Sequence, residues 1–177
     1  MALPEYLHAD CVADGTWTFS GTVYLPAGTV NNAAVAANAD IAATKLNHML
    51  VPSHTQNCGT DVVSASEPIH VAYGDGTIVA FWVTPDTVPT TVSAACDKQY
   101  TVDLQRSTAQ GSFASILTST ITIDDSDADK TRYAATLSAT TYVTTDIFRV
   151  VVTASGSTGN QGQGLVASLV LYEEPAP

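Results

Sequence analysis

Apolar and polar residues alternate with a period of two through most of the second half of the chain. Leu165, Ala167, Leu169 and Leu171 share one face and Val166, Ser168, Val170 and Tyr172 the other, as a strand requires. The same alternation marks residues 67–73, 77–84, 100–105, 113–123, 132–138 and 146–153, which predicts seven strands with the 165–172 run. Gly74-Asp75-Gly76 predicts a hairpin between the first two of these runs, because Gly tolerates the positive φ of tight turns. Further turns are expected at Thr84-Pro85-Asp86, Asp124 to Asp129 and Ser155 to Gly164. Short strands in series without intervening helices predict a mainly β fold, an antiparallel β-sandwich of jelly-roll type, and argue against a parallel α/β sheet.

The first third reads differently. Thr16 to Leu25 predicts a short hairpin about Ser20-Gly21 with Trp17 and Phe19 on one face, and Pro26-Ala27-Gly28 ends it. Residues 27–50 are rich in alanine, and Val35, Ala39, Ala42, Leu46 and Met49 recur in steps of four and three. On a helix these positions form a narrow seam by which helices pair or trimerise. The alternative is a short helix with Asp40 as N-cap, packed on its own domain. The expected organisation is an N-terminal arm at residues 1–58, holding the hairpin and the Ala-rich helix, and a sandwich at 59–177.

Composition narrows the function classes. Six basic residues face 17 acidic ones, a net charge of −11, and the basic residues are scattered singly. A protein that grips phosphates needs clustered Lys and Arg, so neither nucleic acid nor an anionic membrane is an expected partner. No run approaches the ~18 consecutive apolar residues of a membrane span. The opening MALPEYLHAD lacks the basic start and apolar stretch of an export signal, which points to synthesis in a cytoplasm. Cys11, Cys58 and Cys96 are odd in number and widely spaced, so they are read as free, buried structural thiols.

No residue set stands out as catalytic, cofactor-binding or metal-binding. His8, His48, His54 and His70 have no metal-ligand spacing, and His70, between Ile69 and Val71, reads as an outward or hydrogen-bonded strand residue. Asp125, Asp127 and Asp129 have the alternate spacing of a calcium loop. However, Lys130 stands where an EF-hand loop needs Gly and Thr136 where it needs a bidentate Glu, so a solvated turn is the preferred reading. Gly159-Asn160-Gln161-Gly162-Gln163-Gly164 lacks the phosphate-loop spacing, leads into a strand, and is expected to be a mobile inter-strand loop.

Asn38-Ala39-Asp40-Ile41-Ala42-Ala43-Thr44-Lys45-Leu46 resembles a linker pattern of bacteriophage tail-fibre and other virion proteins. The stretch from Asp146 to Glu174 is similar to the end of a small phage structural β-domain. The resemblance implies a non-enzymatic virion structural protein, a capsid decoration or cement protein on the outer capsid surface. Its partners would be the major capsid protein and copies of itself, as a homotrimer. Interface anchors are expected at Trp17, Phe19 and Tyr24 in the arm and at Val35, Ile41, Leu46 and Met49 in the linker, since large aromatic and aliphatic side chains dominate interface energies. A tail-fibre or spike component is the alternative within the virion class. A carbohydrate-binding β-sandwich module, with Trp82, Tyr24, Tyr73 and Tyr142 as possible platforms, is the alternative outside it.

Overall fold

The computed structural model describes residues 48–92 and 95–174. These residues form eleven strands and no helix: β1 (His48–Leu50), β2 (Ser53–Asp61), β3 (Ala65–Val71), β4 (Gly76–Thr87), β5 (Gln99–Ser107), β6 (Phe113–Ser115), β7 (Ile121–Ile123), β8 (Tyr133–Ala134), β9 (Thr141–Tyr142), β10 (Ile147–Ser155) and β11 (Gln163–Glu173). They build two antiparallel sheets. One runs β1/β2, β11, β4, β8/β9; the other runs β3, β10, β5, β6/β7.

Alternation produces the core. On β11, Leu165, Ala167, Leu169 and Leu171 are each at most 1% exposed, while Val166 and Tyr172 on the opposite face are exposed. Phe81 and Val83 on β4, Tyr100, Val102 and Leu104 on β5, and Phe148, Val150 and Val152 on β10 follow the same rule. Side chains of both sheets join in one hydrophobic cluster. Such burial removes about 25 cal/mol for each Å² of apolar surface.

Several expectations change. β3 and β4 lie in different sheets, so Gly74-Asp75-Gly76 is a crossing rather than a hairpin. Asp75 ties this crossing down: its Oδ1 accepts from Thr144 N at 2.8 Å and its carbonyl from Glu174 N at 2.7 Å. Thr84-Pro85-Asp86 is not a turn but part of β4. Pro85 fits there because its carbonyl, which accepts from Lys130 N, points away from β11. In a strand the nitrogen of the same residue points the same way, so its missing N–H breaks no rung with β11. The run 113–123 is two short strands, β6 and β7, both on β5, and the run 132–138 shortens to β8.

Residues 48–58, placed in the arm by the sequence reading, run as β1 and most of β2 along β11. Pro52 separates the two strands, having no N–H to give, while its carbonyl accepts from Leu169 N at 3.0 Å. Met49 therefore belongs to a strand and not to a helical seam. The expected hairpin at 16–25 and the rest of the Ala-rich segment lie outside the described residues.

Candidate functional site

Of the expected interface anchors, Met49 alone falls among the described residues; Trp17, Phe19, Tyr24, Val35, Ile41 and Leu46 lie outside them. Met49 is 61% exposed and pairs directly across from Tyr172, itself 46% exposed, so the two form an apolar step on the outer face of the sheet. A second apolar surface gathers where β3 ends and β10 begins. Val71 and Tyr73 are exposed there beside a shallow cavity of about 540 Å³ that Thr145 and Ile147 help to line.

The carbohydrate platforms are not brought together. Tyr142 is buried, Trp82 lies 5.0 Å beneath the Arg132 guanidinium, and Tyr73 is exposed beside Val71; Tyr24 lies outside the described residues.

His70 is hydrogen-bonded. Its Nε2 lies 2.9 Å from Glu173 Oε2, and the Tyr142 hydroxyl lies 3.3 Å from that same oxygen and 3.3 Å from the Tyr172 carbonyl. Phe148 packs against both rings, stacked on His70 and edge-on to Tyr142. The cluster joins the two sheets at one end of the core, and it is built of residues whose partners lie far along the chain. Burial, then the Glu173 carboxylate, pushes the Tyr142 hydroxyl well above the usual phenol range. Beside it, buried Asp146 accepts from Val143 N and lies 3.7 Å from Arg106, whose guanidinium also donates to the Thr141 carbonyl.

The acidic turn uses its carboxylates on its own backbone. Asp127 Oδ2 accepts from Asp124 N at 2.9 Å, and Asp124 Oδ1 accepts from Ser126 N and Oγ, bonds that hold its carboxyl below the usual range. Asp129 Oδ1 accepts from Val88 N at 2.7 Å, and Lys130 pairs with Asp86 at 3.1 Å, so the turn is clamped to the end of β4. Among the described residues no group of three His, Cys, Asp or Glu side chains comes together as a metal site would require. Cys58 is exposed on the edge strand β2, which corrects its reading as a buried thiol; Cys96 is half-buried, and Cys11 lies outside the described residues.

A polar cleft lies at the opposite end of the sheets from His70. It holds about 470 Å³ between Asp61, Thr87, Lys98, Asp129, Asn160 and Gln161. A neighbouring cavity of about 330 Å³ shares Asp61, Lys98 and Gln161 with it, so these three side chains form the saddle of one groove. The wall is the glycine-rich segment expected to be mobile, and it is pinned at many points. Asp97 Oδ1 accepts from Ser157 N and Thr158 N, which holds its carboxyl below the usual range. Thr90 and Asn160 exchange both backbone bonds, at 3.1 and 2.9 Å, and Val62 N reaches the Gly162 carbonyl at 2.8 Å. Gly159 has φ +100°, and a Cβ there would stand 2.6 Å from Cys96 Sγ and 2.8 Å from the Thr90 carbonyl. Glycine is thus required by both conformation and space.

The cleft is not legible in the sequence because its residues come from five separated segments and share no motif. The signal present in the sequence was the amide-rich loop itself, Asn160-Gln161-Gly162-Gln163, taken there for a mobile connection. No protein-family model matches the chain, and no curated protein matches it.

Proposed function

We propose that the chain is a non-enzymatic structural protein of a bacteriophage particle, a decoration or cement protein on the outer surface of the head. The observation that carries the reading is the strand order. Counting β1/β2, β6/β7 and β8/β9 as single positions gives eight positions in chain order, arranged 1-8-3-6 in one sheet and 2-7-4-5 in the other. That order supports a jelly-roll sandwich, an architecture used by viral capsid domains and by lectins. The acidic balance favours a place away from the genome, and the resemblance of residues 38–46 to virion linkers adds to this.

In this reading the protein works mechanically. The anchors Trp17, Phe19, Tyr24, Val35, Ile41 and Leu46, with Met49 on the sheet, bury apolar surface against the major capsid protein and other copies of the chain. At about 25 cal/mol/Å², such contacts oppose separation of the shell subunits. Copy number in purified particles, measured by quantitative mass spectrometry, tests the proposal. Hundreds of copies are expected; a handful would move the protein to a tail or fibre, and none would remove it from the particle. The expected free state is a trimer, read by light scattering at micromolar concentration.

A further inference from the structure

We propose that the groove over Asp61, Lys98 and Gln161 is a binding site for a neutral saccharide. Three observations carry this independently of the virion reading.

The first is unspent hydrogen-bonding capacity. Gln161 Nε2 is buried and makes no hydrogen bond among the described residues. Lys98, half-buried on the same saddle, has no ion pair or side-chain hydrogen bond among the described residues. A buried polar group without a partner costs about 1–3 kcal/mol, and Gln161 lines both cavities, so a turn of its amide toward a ligand acceptor in the groove would be favoured.

The second is the balance of charge. An anion would suit Lys98 but would face Asp61 and Asp129 on a protein of net charge −11. A cation would suit the two carboxylates but would meet the Lys98 ammonium. Neither sign of ligand is favoured. A hydroxyl both donates and accepts, so a polyol can accept from Lys98 and Gln161 while donating to Asp61. Only one oxygen of Asp61 is engaged, Oδ1 by Gln163 Nε2 at 3.2 Å. Thr87 and Asn160 extend the same mixed lining.

The third is preorganisation. The bonds from Asp97, Thr90 and Val62 fix the 156–162 loop without any ligand, so binding does not have to order it. The groove has the volume of a small-molecule site. Among the described residues it contains no aromatic ring on which a sugar could stack, which places the expected Kd at about 1–10 mM.

The test is a titration of the isotopically labelled full chain, followed by amide ¹H–¹⁵N spectra. The probes are glucose, galactose, N-acetylglucosamine, maltose and cellobiose, with glucuronate, inorganic phosphate and calcium as charged controls. At least one neutral sugar is expected to shift the amides of Lys98 and Gly159 to Gln163 saturably, and Lys98→Met and Gln161→Leu are each expected to weaken that response about ten-fold. If Gln161→Leu loses the dispersion of a folded spectrum, the Lys98 variant decides alone. The proposal is overturned if no neutral sugar shifts these amides at about 100 mM, if the shifts survive Lys98→Met unchanged, or if a charged control binds more tightly than every sugar.

Discussion

Replacing Tyr100 with Phe should stabilise the protein, although it deletes a polar group from the core. Tyr100 is 0% exposed on β5, between Ala154 of β10 and Ile123 of β7, and its hydroxyl is buried without a hydrogen-bond partner among the described residues. In the unfolded chain that hydroxyl is hydrated; on folding it loses water and receives nothing. The cost is about 1–3 kcal/mol, and Phe avoids it while leaving the ring and almost all the packing in place. Set against the small void left by one oxygen, the net gain should be about 1 kcal/mol, a rise of about 2–4 °C in Tm for a chain of this size. Urea unfolding followed by tryptophan fluorescence would show a higher midpoint with an unchanged slope. Tyr142→Phe provides the contrast. Its hydroxyl has two acceptors within 3.3 Å, so the same chemical deletion should cost about 1 kcal/mol. If Tyr100→Phe lowered the midpoint as much as Tyr142→Phe, the hydroxyl would have to be satisfied inside the core, and the accounting of orphaned groups used above would fail with it.

The same two tyrosines set the alkaline limit. Burial raises both hydroxyls above the phenol range, so above pH ~10 the unfolded chain releases protons that the native state retains. Stability is complete below the unfolded pKa and falls as pH rises toward the folded one, by up to about 1.4 kcal/mol per pH unit for each ring, and Tyr100→Phe should halve the slope of a urea-midpoint series. Gly159→Ala should cost about 1–3 kcal/mol, through its positive φ and the crowding at Cys96 and Thr90, with the loss read by thermal unfolding. Asp129→Ala should cost about 1 kcal/mol by orphaning Val88 N, whereas Asp125→Ala, which removes no hydrogen bond among the described residues, should be neutral in the same melt.

What the sequence disclosed, and what it hid, follows from where each strand sits. β4, β5, β10 and β11 are central and carry their buried face as a legible alternation, which is why their positions were readable within a few residues. β2, Ser53–Asp61, is an edge strand of polar residues; it earns its place through backbone bonds to β11, which leave no trace in residue type. The false hairpin at Gly74 shows a second limit, since a glycine-rich link between two strands fits a crossing between sheets as well as a tight turn. The cleft was hidden for a third reason. Asp61, Lys98, Asp129 and Gln161 are separated by tens of residues, and they meet at one end only through the pairing of β2 and β4 with β11, the Asp129 bond to Val88 and the Asp97 bonds to the 156–162 loop.

The pairing of His48 with Glu173 has a mechanical consequence. Among the described residues the start of β1 and the end of β11 meet at one corner, on two antiparallel neighbours. Tension applied between His48 and Glu173 therefore loads the rungs one at a time instead of shearing the whole ladder in parallel. The three pairs between β1 and β11 open first, and Pro52, with no N–H, marks where that opening meets β2. Pulled in this way the fold yields like a zip at low force, with β4, β10 and β5 untouched behind it. A load applied across the sheets, from the Tyr73 end to the Gln161 end, meets long strands along their length and is resisted by every rung together.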